Sequence, residues 1–216
     1  MPLRERQLTI NFSTPFRVGS GLGRGLGLDH TAVRDAWGLP YIPASTLKGR
    51  LRSLCKRVAL TLAATDPVYN NICQTLDNRE ACKPAANEKP CIICQLFGSR
   101  FWPGALRFSD GRLSETQQTQ RTELLLRQRL HPGKIDPALA QARTQIRISR
   151  HRGVAEAKFL FCGEALPKTL IFTARINIIG DLAAAAENLL DWGVRLLTHL
   201  GAQKSRGLGQ CRLSLL

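Results

Sequence analysis

The chain has 216 residues, 44% of them hydrophobic, enough to build one substantial core or two small ones sharing an interface, and incompatible with a fibre or a wholly disordered chain. Lys and Arg number 31 against 16 Asp and Glu, a formal net charge of +15, which makes an acidic polymer or surface the expected partner. No run of about 18 apolar residues is present to span a bilayer, and the N-terminal Met-Pro-Leu-Arg-Glu-Arg-Gln lacks the apolar stretch of a signal peptide. A cytoplasmic location without a membrane partner is therefore expected.

Residues Gln7 to Ser13 alternate apolar Leu8, Ile10 and Phe12 with polar neighbours, the period of a half-buried strand. Glycines at 19, 21, 23, 25 and 27 mark a loop. Ser45 reads as a helix N-cap, and Leu47, Leu51, Leu54, Cys55, Val58 and Leu62 repeat at helical spacing, so a helix is expected over Thr46–Ala63. From Thr65 to Lys89 the pattern dissolves into polar residues, prolines and Cys, as an insertion would. Gly104–Asp110 alternates like a strand. Ser114–Ala142 holds many Gln, Arg and Thr and ends near His131-Pro132-Gly133, an excursion from the core rather than part of it. Gln145–Ser149 and Leu170–Ile179 are rich in β-branched and aromatic residues, Asp181–Leu200 has helical composition, and Gln210–Leu215 alternates again.

That succession is βαββαβ, so the expected fold is α+β and ferredoxin-like (RRM-like): a four-stranded antiparallel sheet with two helices on one face, forming a single domain over 1–216. The insertions project from its loops.

Four features carry chemistry. Lys48, Arg52 and Lys56 are spaced by four and share a face of the first helix, with Arg50 and Arg57 interleaved; such a row, near a helix N-terminus, suits phosphate and equally describes a solvated face. Gly201-Ala-Gln-Lys204-Ser205-Arg206-Gly207-Leu-Gly209 offers backbone closeness, charge and a hydroxyl to a phosphate. It lacks the strand-to-helix order of a P-loop, and a helix C-cap at Gly201 with a tight turn at Gly207 and Gly209 would explain the same glycines. Of the seven Cys, Cys73, Cys82, Cys91 and Cys94 crowd one polar insertion. The Cys-x-x-Cys of 91 and 94 lets one turn supply two thiolates to a tetrahedral Zn2+, which Cys73 and Cys82 would complete as a structural site. Cys55 and Cys162 fall in apolar patterns and read as packed thiols. Asp29, His30 and Asp35 follow the glycine-rich loop; a loop carboxylate can hold a metal or orient a nucleophile, but is more commonly a turn residue.

Gly27-Leu28-Asp29, Val33-Arg34-Asp35 and Pro40-Tyr41-Ile42-Pro43-Ala44-Ser45-Thr46-Leu47-Lys48-Gly49-Arg50-Leu51-Arg52 together resemble the RAMP superfamily of CRISPR proteins. Cys91-Ile-Ile-Cys94-Gln-Leu-Phe97-Gly98, Leu106-Arg-Phe-Ser-Asp110, Ile148-Ser-Arg150 with Gly153-Val-Ala155, and Lys204-Ser205-Arg206-Gly207-Leu-Gly209 follow in the order seen in backbone subunits, the Cas seven group, of type III effector complexes. The resemblance implies a palm that grips CRISPR RNA through Lys48, Arg50, Arg52, Lys204, Ser205 and Arg206, and a thumb within 114–142 that wedges between bases. It implies the cysteine-rich insertion, 65–98, as a zinc site, and as partners target RNA, other effector subunits and adjacent copies or paralogues. In active members a loop Asp, here Asp29, supports cleavage of guide-paired target RNA with Mg2+ or Mn2+, in antiviral defence. Two alternatives remain: a non-cleaving scaffold subunit of the same family, and a metal-independent guide-processing endoribonuclease, which shares the glycine-rich C-terminal loop but in which the cysteine insertion would be unexpected.

Overall fold

The computed structural model describes residues 3–19, 21, 29–73, 82, 89–130, 136 and 138–216. Gly23, Gly25 and Gly27 of the glycine-rich loop, most of the 65–89 insertion beyond Cys73, and His131-Pro132-Gly133 lie outside the described residues. Along the chain run β1 (Leu3–Phe12), α1 (Ala44–Leu62), α2 (Ile92–Phe97), β2 (Leu106–Phe108), β3 (Arg112–Leu113), α3 (Glu115–Leu130), β4 (Gln141–Ile148), β5 (Ala155–Ala165), β6 (Ile171–Ile179), α4 (Ala184–Leu196) and β7 (Cys211–Leu215), with 3-10 turns at Pro67–Tyr69 and Lys204–Arg206.

The main sheet has the order β2-β6-β1-β7, antiparallel throughout, and β3 continues the β2 edge by pairing with β6. The register places Leu8 opposite Ala174 and Leu215, and Ile10 opposite Phe172 and Leu213, so one face of the sheet is apolar and meets the helices. On α1 the buried side chains are Leu47, Leu51, Cys55 and Ala59, one every four residues; on α4 they are Ala186, Leu189, Leu190, Gly193 and Val194. The helices touch closely. The Cys55 thiol donates to the Leu189 carbonyl at 3.4 Å, and a Cβ at Gly193 would stand 2.3 Å from that sulfur. The fold is thus a mixed α/β one with antiparallel sheets, following βαββαβ with a split edge strand. No described helix is long and apolar enough to cross a membrane.

Three expectations need correction. Ser45 does not cap α1: the N-cap is Pro43, and the free Ala44 N–H donates instead to Asp110 Oδ1 at 2.8 Å, a cap supplied from 66 residues away that no local pattern reveals. Gly201 does not cap α4, which ends at Leu196. Gln145–Ser149 is not part of the main sheet. All of it but Ser149 falls on β4, which pairs with β5 alone as a two-stranded hairpin; β4 is exposed along nearly its whole length, so its β-branched residues reflect strand geometry and not burial. The excursion after residue 114 therefore comprises α3 together with this hairpin.

Candidate nucleic-acid interface and metal centre

The α1 cations divide between two flanks of the helix. Lys48 and Arg52, one turn apart, face α2 and β2: burial first, then the nearby charges of Arg107 and Arg52, lower the Lys48 pKa from its ordinary value. Arg50 and Arg57 lie on the other flank, beside the loop before β7. Burial, then Arg50 and Arg57, likewise lower the pKa of Lys204. The first helix and the C-terminal loop, far apart in the chain, therefore adjoin, and their like charges penalise one another until an anion approaches. Among the described residues none of Lys48, Arg50, Arg52, Lys204 and Arg206 takes part in an ion pair.

The glycines of that loop serve the chain's own packing. A Cβ at Gly201 would stand 2.4 Å from the Arg17 carbonyl oxygen, and one at Gly209 2.0 Å from that of Leu200; only at Gly207 is the space open. Ser205 and Arg206 are exposed. Arg206 Nη1 donates to Gln145 Oε1 at 2.7 Å, and the Gln145 and Gln203 amides pair reciprocally at 2.9 and 2.8 Å, which docks the loop on β4.

Asp29 is exposed and lies against the other strand of the hairpin. Its N–H donates to the Cys162 carbonyl at 2.9 Å, and its Oδ2 accepts from the Cys162 N–H at 2.7 Å. The neighbouring His30 ring stacks on Phe161 with centroids 6.4 Å apart. Because Thr144 pairs with Cys162 and Gln145 with Phe161, Asp29 and Arg206 are attached to adjacent rungs of one hairpin, from opposite strands. Asp35, by contrast, caps its own turn by accepting from the Trp37 and Leu39 N–H groups at 3.0 and 2.9 Å. Cys55 is buried as a packed thiol, whereas Cys162 is half-buried and contributes its backbone to Asp29.

Cys73, Cys82, Cys91 and Cys94 meet, with all four sulfurs within 4.8 Å of one another. Cys73 Sγ is 3.7 Å from Cys94 Sγ and 3.6 Å from Cys91 Sγ, close to the ~3.8 Å edge of a tetrahedron of thiolates bound at ~2.3 Å to zinc and far beyond a disulfide. Hydrogen bonding from Cys94 holds Cys91 down to about 4, while burial pushes Cys73 up to about 11 and the bond to Cys91 pushes Cys94 up. One thiolate is favoured and further ones resisted, which is the charge pattern a dication relieves. The four residues fit such a metal ion. Arg52 Nη2 lies 4.0 Å from Cys94 Sγ, linking this cluster to the cationic flank of α1.

Compared with known families, residues 9–212 match the model of the RAMP superfamily. The chain belongs to the RAMP superfamily. No curated protein sequence matches it. In three dimensions this RAMP protein is similar to a chain in the cryo-EM structure of the type III-B Cmr-beta bound to cognate target RNA, with a TM-score of 0.59 and 16% identity over 98% of this chain and 97% of that one. The likeness extends over the whole fold.

Sequence reasoning did not find Arg107, which the β2 edge brings beside Lys48, nor a cluster of the buried Arg17, Arg121 and Glu164 with the partly buried Arg34. Four charged residues scattered from 17 to 164 carry no joint sequence signal.

Proposed function

We propose that this RAMP protein is a cytoplasmic backbone subunit of a type III CRISPR effector complex, which binds guide RNA and cleaves the complementary target RNA. The observation that carries the reading is the convergence of Arg50 and Arg57 on one flank of α1 with Lys204 of the C-terminal loop, a track that follows an RNA backbone while base pairing reads sequence. Lys48, Arg50, Arg52, Lys204 and Arg206 contact guide phosphates, and Ser205 adds a hydroxyl. Adjacent copies or paralogues and other effector subunits extend the track.

The element suited to act as thumb is the β4–β5 hairpin rather than 114–142. Its exposed Ile146, Ile148, Val154 and Leu160 are interspersed with Arg147, Arg150 and Arg152, so it offers an apolar wedge with phosphate anchors. The α3 helix instead lies against the body through Gln117, whose side-chain amide donates to the Thr169 carbonyl at 3.0 Å and accepts from the Ile171 N–H at 3.1 Å. The four Cys hold Zn2+ as a structural ion.

In cleavage, Asp29 is the essential carboxylate. A target strand kinked at the hairpin presents a ribose 2′-OH in line with the adjacent phosphate, and Asp29 assists deprotonation or charge neutralisation there. Asp29 brings a single carboxylate, so Mg2+ or Mn2+ at that point would take its remaining ligands from RNA oxygens and water; when bound it supplies charge neutralisation at the phosphate. Asp29→Ala is expected to lower the single-turnover rate by about 10²-fold or more with guide and target affinity intact. Cleavage that survives both this substitution and chelation would overturn the reading in favour of a metal-independent nuclease.

A further inference from the structure

Glu164 is a buried carboxylate, 6% exposed, that neither RNA binding nor the cysteine cluster explains. It stands at the root of β5. Its Oε2 accepts from the Ala32 N–H at 2.9 Å, and its Oε1 pairs with Arg34 Nη2, while Arg34 Nη1 donates to the Gly38 carbonyl at 3.0 Å. Arg17 and Arg121 are buried nearby, and for each the Glu164 charge opposes the penalty of burial. A Cβ at Gly163 would meet Arg17 Nη1 at 2.7 Å, so the guanidinium rests directly on the strand. A carboxylate paired with the partly buried Arg34 and lying near the buried Arg17 and Arg121 is held by a charge-assisted bond, and deleting it would leave buried positive charge uncompensated.

The same carboxylate ends a zipper that begins at Asp29. Asp29 and Cys162 exchange two hydrogen bonds, the Glu164 N–H donates to the His30 carbonyl at 2.9 Å, and Ala32 then meets the Glu164 side chain. Beyond His30 the segment departs from the strand, and Glu164 is what reaches across to it. Loop carboxylates need such a hold, because a displacement of about 1 Å at a reacting group costs on the order of 10²-fold in rate.

We propose that Glu164 is a positioning residue for Asp29: with Arg34 it clamps the 29–34 segment to the root of the hairpin, so that the Asp29 carboxylate and the hairpin address one point of the RNA. This rests on the reading of Asp29 as the cleaving carboxylate. Glu164→Gln retains an acceptor for Ala32 and removes the charge that Arg34 pairs with; Arg34→Gln removes the same pair from the other side.

The test uses the chain assembled with guide RNA and its companion subunits. Each variant is expected to cut target RNA about tenfold to hundredfold more slowly in single turnover, with target affinity within about twofold of wild type and with the Mg2+ concentration for half-maximal rate raised. Wild-type cleavage by Glu164→Gln, or affinity falling in step with rate, would overturn the clamp. If neither variant folds, amide exchange of the unaltered protein decides: the Ala32 and Cys162 N–H groups are expected to exchange slowly and together, and exchange of Ala32 at the rate of an exposed loop would overturn the proposal. Cleavage lost in Asp29→Ala but intact in Glu164→Gln refutes the clamp alone, whereas cleavage unaffected by Asp29→Ala refutes the reading beneath it.

Discussion

Gly209 adopts φ +74°, and a Cβ there would stand 2.0 Å from the Leu200 carbonyl oxygen. Gly209→Ala is expected to destabilise the fold by about 2–4 kcal/mol, read from denaturant unfolding, whereas Gly207→Ala, with open space around it, loses only the cost of its left-handed backbone, about 1 kcal/mol. Equal effects would contradict the packing role assigned to Gly209. The buried Cys55 thiol gives a pH prediction. Burial raises it from 9.0 to about 12, so the folded state keeps its proton where the unfolded chain has lost it. Its contribution is therefore complete below pH 9 and declines by about 1.4 kcal/mol per pH unit between 9 and 12. Cys55→Ala, although less stable at neutral pH, should show a shallower alkaline loss; an unchanged slope would contradict it. At this scale the sequence is uneven. Lys48 and Arg52 are legible because a helix converts a spacing of four into one flank. Glu164 is not, because its partners Ala32 and Arg34 lie 132 and 130 positions away.

The helices and the main sheet were readable as elements because each buries one face, and burial imposes a period on the apolar residues. The β4–β5 hairpin escapes that logic. Most of β4 and the outer half of β5 are exposed, so nothing disciplines their side chains, and Ala155–Ala165 is not evident as a strand. The cysteine cluster shows the converse: two thiols on one turn at Cys91 and Cys94 are legible from spacing alone, and Cys73 and Cys82 join them in space. Cys91→Ser is expected to reduce bound zinc from one equivalent to a small fraction in elemental analysis of the purified protein and to lower the melting temperature by several degrees. A full equivalent retained in Cys91→Ser would remove that residue from the site.

For the whole molecule, the net charge of +15 pointed to an anionic partner, and the order of motifs pointed to the superfamily and to α1 and the C-terminal loop gripping one RNA; what neither gave was the packing that brings them together, α1 and β7 sharing one core. If Lys48, Arg50, Arg52, Lys204 and Arg206 each neutralise one phosphate, RNA affinity should fall with salt at a logarithmic slope of about −3.5, and Lys204→Ala should reduce that slope by about 0.7. A slope unaffected by Lys204→Ala would place the RNA elsewhere. The central claim, that base pairing in a bound guide reads sequence on behalf of this chain, is tested most directly by purifying the assembled complex from its native host and sequencing the nucleic acid it carries. Short RNAs sharing one repeat-derived end are expected; a complex carrying no ribonucleotide, or only random cellular fragments, would contradict it.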